Sequence, residues 1–272
     1  MTRQYFNLLS TGRTATHWIA NAISLHPRAF CAHGPDLEPF RSDETEKQRT
    51  SRHHRDSAKV AAMTLDDYFD LLETRDFDVY GLIHGIGVDP AQLPNFRRRY
   101  FVAAVTREPI VRLRSFIARW QYEAEALPEW HEQTGPWLAG HYASCVQAGM
   151  TMPPQDQLSF TDLLFIGAAW WMTVNDPLHN RGVPIFRCED LGDRQGFAKL
   201  FTAITQGRLE ADADYLDAVM ALPRQDQRAL GPDSARAEFA SWTSWQQKLL
   251  GDLLDLFRLR PAYRDLNYDM NF

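Results

Sequence analysis

Two stretches of this chain share one plan: a short apolar run, a loop of small, hydroxyl and basic residues, then apolar residues at helical spacing. In the first, Tyr5–Leu9 leads into Ser10-Thr11-Gly12-Arg13-Thr14-Ala15-Thr16. Trp18, Ile19, Ala22 and Ile23 then recur on one helical stripe, which His26-Pro27 ends. In the second, Arg99–Val105 leads into Thr106-Arg107-Glu108-Pro109, with Ile110, Leu113, Ile117 and Trp120 following on a stripe. Pro109 suits a first helical turn, where its missing N–H costs nothing. Ala29–Cys31, Asp78–Ile83 and Val183–Arg187 are further strand candidates, and Thr64-Leu65-Asp66-Asp67 reads as a capped helix start with an acidic first turn. Glu238–Leu259 carries one amphipathic pattern, with Trp242, Trp245, Leu249, Leu253 and Phe257 near one face. Short apolar strands alternating with helices predict an α/β fold whose central, mostly parallel sheet is flanked by helices on both faces.

Composition bounds the partners. The 272 residues hold 29 Lys and Arg against 35 Asp and Glu, a net charge of −6. That balance excludes a general nucleic-acid coat, which needs a basic surface, but permits a small anion gripped by a local cluster. Cys31, Cys145 and Cys188 are odd in number and widely spaced, so neither a disulfide framework nor a zinc site is expected. The start lacks a signal-peptide pattern, and no apolar run approaches the roughly 18 residues of a membrane span, so a cytoplasmic location is expected. With no internal repeat and no Gly/Ser linker, residues 1–272 are expected to form a single domain. Within it, the polar tract around residues 41–63, with His53 and His54, reads as a lid or loop.

Three stretches carry chemistry. The Ser10–Trp18 loop can bring backbone N–H groups, a helix N-terminus and the Arg13 cation to one anion. It lacks the second Gly and the Lys of a Walker A loop. In Arg107-Glu108-Pro109-Ile110-Val111-Arg112-Leu113-Arg114-Ser115, Arg112, Ser115 and Arg119 share one helical face, and the arginine at the strand end, Arg107, with a hydroxyl two turns on, Ser115, could grip a second phosphate-like group. The third stretch is Arg187-Cys188-Glu189-Asp190-Leu191, at the end of the last strand candidate. Each has a bland alternative: a plain strand–helix turn, a solvated Arg face, an acidic turn.

Taken in order, the three resemble the sulfotransferases that use 3′-phosphoadenosine 5′-phosphosulfate (PAPS), in a divergent, bacterial-type form. The resemblance runs from residue 5 to residue 191. Gly12-Arg13-Thr14-Ala15-Thr16-His17-Trp18 occupies the place of that family's P-[KR]-[ST]-G-T-[TS]-W loop, which binds the 5′-phosphosulfate. Arg107, Pro109, Arg112 and Ser115 match every fixed position of R-x-P-x-x-R-x-x-S, which binds the 3′-phosphate. The segment from Arg187 looks like R-Y-E-D-L, which borders the adenine. Ala15 stands where Gly is usual, His17 where Thr or Ser is usual, and Cys188 where Tyr is common. The C-terminal R-K-G-x-x-G-D-W segment is absent, and Gly251-Asp252 reads as core helix.

The resemblance implies a P-loop-like nucleotide-binding core and transfer of a sulfuryl group from PAPS to a hydroxyl or amine, leaving PAP. Arg13, Thr14, Ala15, Thr16, His17, Trp18, Arg107, Arg112 and Ser115 are the expected cofactor-binding residues. Arg13 is also catalytic by the same likeness, and no metal is expected. A neutral histidine is the natural general base near pH 7. His84, in Gly81-Leu82-Ile83-His84-Gly85, resembles the K-T-H segment of cytosolic members. His33, soon after His26-Pro27, falls where other branches carry a catalytic Glu. Asp36 and Glu38 are more distant candidates. Residues 120–160 read as an acceptor-side insertion. Trp120 and Trp170 are expected in the core, while Trp130, Trp137 and Trp171 could line a pocket for an aromatic or lipid-like alcohol. Two other functions fit the same anion loop: a P-loop-like nucleotide phosphotransferase, and a nucleotide-binding module without catalysis.

Overall fold

Five strands, β1 (Gln4–Leu9), β2 (Ala29–His33), β3 (Val79–Ile83), β4 (Phe101–Thr106) and β5 (Ile185–Arg187), form one sheet in the order β2-β3-β1-β4-β5, with every pairing parallel. The structure, a computed structural model, describes residues 3–34, 48, 56, 63–72, 76–83, 100–126, 128–180, 182–223 and 232–271, without the side chains of 65, 71–72, 128–133 and 232–234. The polar tract expected as a lid lies almost wholly outside these residues. Chain contacts define two compact units, Met1–Thr106 with Asn180–Gln227, and Arg107–His179 with Arg228–Phe272.

Among the described residues, the first unit holds the sheet and the helices α1 (Thr16–Ser24), α2 (Leu65–Leu72), α6 (Arg194–Thr205) and α7 (Ala213–Ala221). Period-two alternation sorts its core. Phe6, Leu8, Cys31, Val79, Ile83, Ala103 and Val105 turn to one face, where Trp18 and Ile19 of α1, Phe197 and Phe201 of α6 and Val219 of α7 meet them. Phe30, Ala32, Tyr80 and Leu82 turn to the other face and pack with Tyr68 and Phe69 of α2. Gly81 is in register with Phe6, and a Cβ there would lie 1.7 Å from the Phe6 ring. The aromatic ring thus takes the volume that a side chain on β3 would need. Thr64 and Asp67 cap α2 reciprocally: Thr64 Oγ1 accepts from the Asp67 amide at 3.1 Å and the Asp67 carboxylate accepts from the Thr64 amide at 3.0 Å. Hydrogen bonds from Thr64 hold the Asp67 carboxyl below its ordinary pKa.

The second unit contains α3 (Pro109–Ala126), α4 (Pro128–Gln147), α5 (Phe160–Val174), α8 (Pro232–Ser241), α9 (Ser244–Leu256) and α10 (Leu259–Asp265). Helix α3 starts where expected because the Glu108 carboxylate accepts the Val111 amide at 2.7 Å. The stretch expected as an insertion runs from the end of α3 through α4, which packs on α5 where Gly167 meets Leu138. The single tail helix expected over Glu238–Leu259 is instead parts of three. Thr243 accepts from the Gln246 amide while the Gln246 side chain accepts from the Thr243 amide, a capping box that stops one helix and starts the next. Trp242 and Trp245 still serve one apolar surface across the break, with ring centroids 5.1 Å and 5.9 Å from Phe165. Gly251 lies buried within α9. No helix among the described residues is long and apolar enough to cross a membrane.

Candidate functional site

The sheet order creates the site. From β1 the chain proceeds to β2 and β3 on one side, then crosses to β4 and β5 on the other, so the direction of winding reverses at β1. In open parallel sheets the crevice outside the carboxyl ends of the strands at such a reversal is where ligands bind. The Ser10–Ala15 loop leaves β1 at that end and enters α1.

Its backbone is held in an uncommon shape. Gly12 (φ 89°), Arg13 (φ 58°) and Ala15 (φ 56°) are all in the left-handed region, two of them without being glycine. Ser10 ties the turn, its Oγ 2.5 Å from Thr14 Oγ1 and accepting the Gly12 amide at 3.1 Å. Exposure alternates along the loop: Gly12, Thr14, Thr16 and Trp18 are buried, whereas Arg13, Ala15 and His17 reach the surface in part. Helix α1 begins with Ala15 at its N-cap and no side-chain cap. First-turn amides point out along the helix axis, away from the helix's own bond ladder, and carry its positive dipole end. Left-handed turns leading into such a terminus concentrate N–H dipoles on an anion.

Ala15, which stands where the resembled family usually has Gly, holds a left-handed conformation of the kind glycine favours, with φ 56° and ψ 31°. A non-glycine residue in that region costs about 1–2 kcal/mol, partly offset by about 0.4–1 kcal/mol because alanine restricts the unfolded chain more than glycine does. Ala15→Gly is therefore expected to raise stability by about 0.5–1 kcal/mol, read as a higher urea midpoint. A lower midpoint would contradict the left-handed N-cap.

Two histidines meet beside the loop. His33, at the end of β2, is 8% exposed, and its Nε2 lies 3.0 Å from Thr16 Oγ1. The His17 ring stacks on it, with centroids 3.5 Å apart and planes 14° from parallel. Of the two candidate bases, His33 is thus brought to the anion loop, while His84, like Asp36 and Glu38, lies outside the described residues. Nothing in the chain's local pattern pairs residues 17 and 33; the contact arises because α1 runs back along β2.

Other expected residues take other places. Thr14 is fully buried with its hydroxyl on Ser10, so its side chain serves the turn. Trp18 is 7% exposed and packs edge-on against Phe197, 5.6 Å between centroids, making it a core residue. Arg107 and Ser115 are partly exposed in the second unit. Arg112 does not present its guanidinium to a ligand. It is 0% exposed and bonded to the Asp176 carboxylate and, at 2.6 Å, to the Tyr263 hydroxyl. Burial works against its charge, but Asp176 and Tyr263 outweigh that and hold its proton above the ordinary arginine affinity. Arg119, expected on the same face, pairs with Glu123 at 2.6 Å. Cys188 donates its amide to Thr106 O at 2.8 Å, which extends the β4–β5 ladder.

Of the tryptophans, Trp120 lies 5.7 Å from Phe116 and 5.0 Å from Trp137, and Trp170 lies 5.7 Å from Phe257. Trp171 packs on Phe116, and Trp137 is 37% exposed. Among the described residues, no three His, Cys, Asp or Glu side chains are grouped to hold a metal ion. No family model, curated protein or solved structure matches this chain.

Proposed function

We propose that this chain is a sulfotransferase: it moves a sulfuryl group from PAPS to the hydroxyl or amine of a small acceptor. The observation that carries this reading is the β1–α1 loop, where two non-glycine residues, Arg13 and Ala15, are held at positive φ just before a helix N-terminus that has no side-chain cap. Strain of this kind persists at sites that use it. The donor set fits a 5′-phosphate: amide dipoles from α1 and the fixed charge of Arg13. Arg107 and Ser115, by their place in the second signature, are the proposed contacts for the 3′-phosphate. Arg112 is left out of that set, since its charge is spent on Asp176 inside the second unit.

PAPS supplies an activated sulfuryl group on its 5′-phosphate. The S–O bond to that phosphate breaks as a new S–O bond to the acceptor forms, and the bonding pair stays on the phosphate. Arg13 and the loop amides stabilise the negative charge that builds there, and preorganised stabilisation of this kind lowers the barrier more than any other single effect. The acceptor proton passes to Nε2 of His33, in place of the Thr16 hydroxyl now beside it. An aromatic or lipid-like alcohol is the proposed acceptor, on the tryptophans concentrated in the middle third of the sequence.

Calorimetry with PAP and ATP, with and without Mg²⁺, tests the reading. PAP binding at micromolar affinity without Mg²⁺, weakened in Arg107→Ala, is the expected result. A strict Mg²⁺–ATP requirement would replace it with a phosphotransferase. PAP binding without sulfate transfer to any phenol, long-chain alcohol, sugar or amine in a radiolabel screen would leave a binding module.

A further inference from the structure

Resting on the sulfuryl-transfer reading, we propose that the side chain of His17 is a positioning residue: it fixes the ring of His33 and does not touch the phosphate. The family resemblance sets residue 17 among the phosphate ligands, but the geometry separates its backbone from its ring. The His17 amide belongs to the first turn of α1, on the anion side. Its imidazole instead lies flat on His33, 3.5 Å between centroids and 14° from parallel, so that face has no room for a ligand.

A histidine acts as a base only in the right tautomer and orientation, and the bond made by one ring nitrogen decides which nitrogen keeps its lone pair. Thr16 Oγ1 lies 3.0 Å from Nε2 of His33. One contact at a single ring nitrogen still allows the ring to tilt about the axis through that atom. Stacking by His17 stops the tilt, because it constrains the direction perpendicular to the plane. Adjacent residues at the start of one helix therefore fix both degrees of freedom of a ring on a neighbouring strand. Parallel rings need only flat shape and polarisable area for this, so another aromatic side chain at position 17 would serve.

Long-range proton–nitrogen correlation spectra of nitrogen-labelled histidine in the full chain read the tautomer of His33 directly, without any acceptor. Wild type is expected to show a single His33 tautomer, His17→Ala to show averaged shifts of two, and His17→Phe to restore the single form. PAP affinity, measured by calorimetry on the same variants, is expected to stay within about twofold of wild type. Unchanged His33 signals in His17→Ala would overturn the proposal. So would a loss of PAP affinity of about tenfold or more in both variants, which would make the ring a phosphate ligand. If no variant, wild type included, binds PAP, the sulfuryl-transfer reading fails while the His33 spectra still decide the positioning.

Discussion

Asp176→Ala is expected to destabilise the second unit by about 3–5 kcal/mol, because it strands a buried cation. Arg112 and Asp176 are both 0% exposed, and the pair is closed by Tyr263, whose hydroxyl donates to Asp176 Oδ2 at 2.6 Å. Asp176 Oδ1 also accepts the Leu178 amide at 2.9 Å, which shapes the turn after α5. Removing the carboxylate leaves a guanidinium without its counter-charge, a phenol without its acceptor and a turn without its tether. Replacing the pair together, as Arg112→Met with Asp176→Leu, takes away both charges and is expected to cost far less than Asp176→Ala alone. Asp269→Ala, which removes an exposed ion pair to Arg236, is the surface comparison and is expected to leave the urea midpoint close to that of wild type. Urea unfolding followed by fluorescence compares the three. A loss below about 1 kcal/mol in Asp176→Ala would show that the charge is not confined as described.

Arg13→Ala is expected to lower turnover by about 10²- to 10³-fold while PAP affinity falls by less than tenfold. The reason is timing: charge on the leaving phosphate is greatest in the transition state, so a preorganised cation there acts on kcat more than on binding. Alanine and arginine meet the same penalty at φ 58°, so the substitution leaves the loop's backbone strain in place and reports on the guanidinium alone. Arg13→Lys, which keeps a cation, is expected to recover part of the rate. Radiolabelled sulfate transfer to the best acceptor of the screen is the measurement. A rate within about threefold of wild type would remove Arg13 from the chemistry and with it the main support for the mechanism.

What was legible in the chain follows from the range of each interaction. The strands, the start of α3 at Pro109 and the Thr64 cap were readable because each is decided by neighbours within one turn or one alternation. The break at Thr243 was hidden because the apolar pattern of Trp242 and Trp245 continues across it, serving one surface on Phe165. Motif spacing placed Arg112 on a helix face but could not say what that face meets, since Asp176 is 64 residues away and Tyr263 is 151. The same limit hid the stacking of His17 on His33. It also hid the left-handed N-cap at Ala15, which is a property of the turn and not of the residue type.

Strand order also sets a timetable. Of the strands in this sheet, the first made lies at its middle, and its partners come late: residue 4 aligns with 79, and residue 6 with 101. The aromatic cover of its apolar face, Phe197 and Phe201, is made later still. During synthesis β1 therefore waits about 75 residues for β3 and about 95 for β4, and the α6 part of its cover waits for about twice as long as β4 does. The anion loop, fused to both β1 and α1, gains its shape only when that wait ends. Truncated chains that carry every loop residue but stop before α6 are then expected to lack the site.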